Sequence, residues 1–184
     1  MQNLPNILTF SRMAAIPVVV ALFFVMQPWA YWVAAAIFAI AAVTDFLDGY
    51  LARAQGTGSP LGKMMDPIAD KMLVAIMLIL LVGFGALPGW HMIAAIIILA
   101  REVLISGVRE YLASVGTTGL PVSKLAKWKT TTQLGALMLL ILAPAVPDVR
   151  PVGLAILWVA AVLTIITGWD YLRAGLRQIA TSQH

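Results

Sequence analysis

Four aspartates at fixed intervals are the residues in this chain best suited to chemistry. They stand in Thr44-Asp45-Phe46-Leu47-Asp48-Gly49-Tyr50-Leu51-Ala52-Arg53 and, after a short connector, in Gly62-Lys63-Met64-Met65-Asp66-Pro67-Ile68-Ala69-Asp70-Lys71. On a helix, Asp45, Asp48, Gly49 and Ala52 share one face, and Asp66 and Asp70 share another. The connector 54–61 holds Gly56, Gly58, Ser59 and Pro60, so it can turn tightly and make the two helices antiparallel neighbours. The acid pairs can then face each other. Four carboxylates so close repel, and Arg53, Lys63 and Lys71 are the cations at hand. Divalent cations are the economical remedy, and an oxygen-only donor set favours Mg²⁺, Mn²⁺ or Ca²⁺ over zinc or copper. Two carboxylate pairs suit a two-metal centre that stabilises the attacking and leaving oxygens of a phosphoryl displacement. Gly49 and Ala52 strip bulk from the acid face. A glycine inside a helix costs about 1 kcal/mol against alanine, which makes sense where a ligand must approach the backbone, and Arg53 can contact its phosphate oxygens. Two blander readings compete: acids that cap helices or pair with cations, and a small-residue packing face at Gly49 and Ala52.

The elements that must position these residues are membrane helices. Of 184 residues, 61% are hydrophobic and 11% charged, against roughly 25% charged in an average soluble domain. The mean hydropathy is +0.94. This excludes a soluble domain, a disordered chain and a nucleic-acid module, so nucleic acid is not an expected partner. With no cysteine, disulfides, iron–sulfur clusters and thiolate zinc sites are excluded as well. The expected fold class is all-α, a polytopic membrane protein with six transmembrane helices near 12–26, 29–53, 66–84, 90–113, 123–142 and 152–176. Some apolar stretches are short: 72–84 has only 13 residues, whereas a span needs about 20. Such helices must complete their spans with polar residues at one end. Charge identifies that end. An N-in, C-in orientation puts eleven of the twelve Lys and Arg inside and only Arg150 outside. Trp29, Tyr31, Trp32, Trp90 and Trp158 then gather at the outer ends, and every acid except Asp148 lies inside. The N-terminal apolar run is not expected to be a cleavable signal, and 1–184 reads as one membrane-embedded catalytic domain with an interfacial segment at 1–12.

The pattern Asp45-x2-Asp48-Gly49-x2-Ala52-Arg53-x8-Gly62-x3-Asp66-x3-Asp70 resembles the signature of the CDP-alcohol phosphotransferase family at every fixed position. Eight fixed residues at about 5% usage each match by chance on the order of 1 in 10⁸ for this length. The resemblance implies a six-helix bundle in the bacterial cytoplasmic membrane, with its active site facing the cytoplasm. It implies transfer of a phosphatidyl or similar group from a CDP-linked donor to an alcohol, with release of CMP. By the same likeness Asp45, Asp48, Asp66 and Asp70 hold a binuclear Mg²⁺ or Mn²⁺ centre, and Asp70 is the general base for the acceptor hydroxyl. Gly49, Ala52, Arg53 and Ser59 face the CDP group of the donor, and Gly62 helps form the turn. A homodimer is implied too. The segments Asn3-Leu4-Pro5-Asn6-Ile7-Leu8-Thr9-x2-Arg12, Ala100-Arg101-Glu102-Val103-x-Ile105-Ser106-Gly107-x-Arg109-Glu110 and Lys127-x-Lys129-Thr130-x2-Gln133 are similar to the bacterial branch of the family that joins CDP-diacylglycerol to glycerol 3-phosphate. Ala126 departs from the glycine expected there.

A phosphorylated acceptor needs cations, and the residues supply them independently. Arg101 and Arg109 fall on adjacent faces of the fourth helix, and Lys127 and Lys129 begin the fifth. Arginine binds phosphate bidentately, lysine as a point charge. Residues two apart on a helix point nearly opposite ways, so Lys127 and Lys129 do not converge on one phosphate: Lys124, Lys127 and Thr131 share one stripe, Lys129 and Gln133 another. Alternatively these cations only set topology and meet anionic lipid headgroups. His91 reads as an interfacial residue of an outer loop. Asn6 and Thr9 either touch the nucleotide or belong to a plain surface anchor. Two rival functions stand beside the main one: the same chemistry with inositol phosphate or serine as acceptor, and a divalent-cation transporter. The transporter predicts acids at mid-membrane and inverted repeats, whereas these acids lie near one end of their spans.

Overall fold

The computed structural model describes residues 4–55, 60–114 and 124–182; the side chains of 4–9, 45–64, 66, 67, 70, 124 and 179–182 lie outside the described residues. The described residues form six α-helices, α1 (Leu4–Val25), α2 (Pro28–Gln55), α3 (Pro60–Gly83), α4 (Met92–Ser114), α5 (Lys124–Leu142) and α6 (Arg150–Ser182), with short 3₁₀ turns at Gly89–His91 and Pro147–Val149 and no strand among them. The chain divides into two compact units, Met1–Leu87 with Leu137–Val152, and Pro88–Ala136 with Gly153–His184.

In the first unit α1 packs against both α2 and α3. Phe23, fully buried, meets Tyr31 and Phe84 edge-on, each with centroids 5.4 Å apart, so one ring locks the end of α1 to the start of α2 and the end of α3. The α1–α2 connection is only Met26 and Gln27. Met26 takes a left-handed φ of 53°, an uncommon conformation for a side-chain-bearing residue. The Ala30 N–H then donates to the Gln27 carbonyl at 2.9 Å. Proline is suited to a first helical turn because its missing N–H has no intrahelical partner there, and Pro28 and Pro60 open α2 and α3 in this way. After α3 the chain reverses at Gly85, φ 73°, where glycine carries no Cβ penalty. Arg150, the one cation the sequence map puts outside, caps this turn: its Nη2 donates to the Gly85 carbonyl, and its Nε donates to that of Ala86 at 3.3 Å.

In the second unit α4 and α6 are tied at the Trp90 end by an aromatic cluster. The Trp158 Nε1–H donates to His91 Nδ1 at 3.1 Å, Trp90 stacks on His91 with centroids 4.3 Å apart, and the two tryptophan rings lie 5.0 Å apart. His91 therefore has a specific structural bond beyond its loop position. On α5, Thr130, Thr131 and Thr132 return their hydroxyls to the carbonyls four residues back, at 3.2, 3.1 and 2.9 Å, which satisfies three polar groups within one helix.

Two boundaries differ from the sequence reading. Helix α1 starts at Leu4, ahead of the apolar span expected from about 12, so the segment leading into that span is itself helical from Leu4 on. Helix α3 starts at Pro60, not at 66, so Gly62 lies in its first turn and not ahead of it. Ser59 lies outside the described residues. By length and composition, Gly89–Ser114 and Pro147–Gln178 can cross a membrane; Phe10–Val25, Pro28–Thr44 and Lys71–Gly83 are shorter apolar helical stretches.

Candidate active site

The four aspartates stand on continuous helix, Asp45 and Asp48 in α2 and Asp66 and Asp70 in α3, all in the first unit. At a rise of 1.5 Å per residue the members of a pair are about 4.5 and about 6 Å apart along their axes. Along α2 the buried stripe is Ala34, Phe38 and Ala41, and along α3 it includes Leu73 and Met77. Thr44, just before the motif, gives its hydroxyl to the Ile40 and Ala41 carbonyls, each at 2.9 Å, and so serves its own helix. Four carboxylates at this spacing on two helices would suit hard divalent cations, which supply the positive charge that such acids otherwise lack. The side chains of Asp45, Asp48, Arg53, Asp66 and Asp70 lie outside the described residues, as do any side-chain contacts at Gly49, Ala52 and Gly62.

The second unit gathers part of the cation set around an acid. Glu102 Oε1 accepts from Lys129 Nζ and, at 3.2 Å, from Arg101 Nη1. Lys129 is only 5% exposed, and Gln133, one turn further along α5, is 3% exposed. Lys127 is exposed on the other side of α5, as expected for a residue two positions away. The stem of Arg101 lies against Gly168 of α6: a Cβ there would sit 2.9 Å from Arg101 Cγ and 3.5 Å from its Nε. Arg109, exposed, lies with its guanidinium carbon 5.7 Å from the centre of the Tyr171 ring, within cation–π range. Arg101 and Lys129 are therefore brought together, while Arg109 and Lys127 serve other surfaces of their helices. Three buried polar atoms of this unit, Arg101 Nε, Gln133 Oε1 and Thr164 Oγ1, have no hydrogen-bond partner among the described residues. Buried polar groups are nearly always bonded, so these three atoms keep capacity for further hydrogen bonds.

A family model described as CDP-alcohol phosphatidyltransferase matches residues 2–166. The chain belongs to the CDP-alcohol phosphatidyltransferase family. Within it, the chain is 46% identical to the CDP-diacylglycerol–glycerol-3-phosphate 3-phosphatidyltransferase of Rickettsia bellii, over 94% of this chain and 95% of that one. It is 40% identical to the protein of the same name from Cereibacter sphaeroides, over 95% and 96%. Among solved structures it resembles a Mycobacterium tuberculosis phosphatidylinositol phosphate synthase in complex with manganese and citrate, with a TM-score of 0.63, 21% identity and coverage of 94% of this chain and 82% of that one. That likeness shows the fold. In the reading from sequence alone Glu102 stands only within a resembling segment, and Thr164 and Gly168 have no individual role. Glu102 had a signal, since an acid within an apolar helix is functional by default. Gly168 had none, because its meaning lies in a contact with a residue 67 positions away.

Proposed function

We propose that this chain transfers the phosphatidyl group of CDP-diacylglycerol to a hydroxyl of sn-glycerol 3-phosphate, giving phosphatidylglycerophosphate and CMP. The observation that carries it is the likeness, over 94–95% of the chain, to enzymes of that name, and the helical spacing of both acid pairs supports the chemistry. Asp45, Asp48, Asp66 and Asp70 hold two Mg²⁺ or Mn²⁺ ions, which when bound supply the positive charge that a pyrophosphate and its transition state require. Asp70 accepts the proton of the acceptor hydroxyl. That oxygen forms a bond to the phosphorus bearing diacylglycerol, the bond from that phosphorus to the bridging oxygen breaks, and CMP leaves with the electron pair. Arg53 neutralises the departing phosphate, while Gly49, Ala52, Ser59 and Gly62 leave room for the CDP group. Of the four candidate cations, Arg101 and Lys129, which meet at Glu102, receive the acceptor's phosphate, while Arg109 and Lys127 stand on other surfaces of their helices. Positioning and fixed charge supply most of the rate, as in other phosphoryl transfers.

The chain acts as one catalytic domain of six membrane spans, N-in and C-in, in the bacterial cytoplasmic membrane, as a homodimer with its acids on the cytoplasmic side. The eleven-to-one charge distribution supports the orientation. Side chains such as Phe24, Ile40, Ile79, Ile96, Val103 and Ile165, all more than half exposed, suit contact with lipid rather than water. The decisive experiment measures CMP release by the purified protein with CDP-diacylglycerol and Mg²⁺ or Mn²⁺, offering glycerol 3-phosphate, inositol phosphate and serine in turn. Release is expected only with glycerol 3-phosphate. Release with another acceptor alone overturns the assignment within the family, and metal flux in liposomes without nucleotide would favour transport instead.

Gly168→Ala tests whether Arg101 serves that acceptor. Alanine is up to about 1 kcal/mol better than glycine inside a helix, but its Cβ would sit 2.9 Å from Arg101 Cγ, so the two effects offset and the thermal midpoint is expected to hold or fall slightly. The new Cβ must displace the Arg101 stem, so the KM for glycerol 3-phosphate should rise several-fold. Unaltered acceptor kinetics in a stable variant would remove Arg101 from the acceptor site.

A further inference from the structure

We infer that Glu102 is a positioning residue for the acceptor's phosphate: its carboxylate holds the Lys129 ammonium and the Arg101 guanidinium as a fixed pair that the phosphate then meets. The inference rests on the proposed acceptor and adds a residue to its binding apparatus. Two cations, one from α5 and one from α4, converge on a single oxygen, Glu102 Oε1. Among the described residues one negative charge meets two positive ones, so this group carries an excess of positive charge at a place where Lys129 is almost wholly buried. A buried ammonium is costly without a counter-charge, and among the described residues Glu102 supplies it.

The remaining features point the same way. Arg101 Nε, Gln133 Oε1 and Thr164 Oγ1 are buried without a protein partner among the described residues. Gln133 stands one turn along the stripe that carries Lys129, so the polar surface continues past the ion pair. Residual positive charge beside unspent hydrogen-bonding groups suits a small phosphate ester carrying hydroxyls, whose phosphate meets the cations while its hydroxyl groups find polar neighbours. Long flexible cations have many rotamers. Anchoring both on one carboxylate settles them before the acceptor arrives, so binding loses less in ordering them.

The test compares wild type with Glu102→Gln and Glu102→Asp, reading KM for each substrate, kcat and the thermal midpoint of the purified protein. Glu102→Gln keeps the shape but removes the charge; it is expected to raise the KM for glycerol 3-phosphate at least tenfold while the KM for CDP-diacylglycerol stays within about twofold. Glu102→Asp keeps the charge on a shorter stem and is expected to recover part of the loss. An unchanged acceptor KM in Glu102→Gln overturns the inference. So does a variant pair in which both KM values move together and the thermal midpoint falls, since that is the mark of a merely structural ion pair. If the wild type releases no CMP with glycerol 3-phosphate, the proposed function falls first and takes this inference with it, so the wild-type control separates the two failures.

Discussion

Asp70→Asn is expected to lower kcat for CMP release by about 10²–10⁴-fold, the range for loss of a general base, while CDP-diacylglycerol still binds within a few-fold of wild type. The substitution keeps the size of the side chain and one of its oxygens, so a cation can still be held, but the amide does not accept the hydroxyl proton. The reading is sharpened by comparison with Asp45→Asn. Position 45 is assigned to metal holding alone, so that variant should lose activity together with metal affinity and regain part of it at high Mg²⁺. Asp70→Asn should gain little from added metal. A normal turnover number in Asp70→Asn would remove this residue from the proton transfer.

Removing divalent cations should have an equally large effect, bringing CMP release to background, with recovery by Mg²⁺ or Mn²⁺ and not by Zn²⁺, whose preference for nitrogen and sulfur ligands the donor set does not meet. A readout independent of turnover comes from electrostatics. Two carboxylates about 5 Å apart repel by about 3 kcal/mol at an effective dielectric of 20. Mg²⁺ should therefore raise the thermal midpoint of the wild type. In Asp45→Asn and Asp66→Asn the metal-free protein should be the more stable one, and the response to Mg²⁺ should shrink. Equal midpoints with and without metal in the wild type would argue against a bound cation at these acids.

The parts legible in the sequence are those governed by local periodicity. The 3.6-residue repeat separates exposed Lys127 from buried Lys129 two residues on. Helix starts were less legible: hydropathy marks where lipid begins, not where backbone hydrogen bonding begins, so α1 extends back through polar residues to Leu4 and α3 back to Pro60. Least legible were contacts between distant residues. Nothing near Glu102 announces that Lys129 of the next helix meets it, nothing near Gly168 announces Arg101, and nothing near His91 announces Trp158.

The Arg150 cap on the turn after α3 bears on how the chain is made. Its hydrogen bonds reach back 64 and 65 residues, so they cannot form while α3 is the newest helix to leave the ribosome. Two carbonyls of that turn must stay with water or lipid headgroups through the synthesis of α4 and α5, and they meet their guanidinium only as α6 begins to emerge. The first unit is therefore closed by the last helix, and a chain stalled before Arg150 would present quality-control proteases with an open turn between α3 and α4.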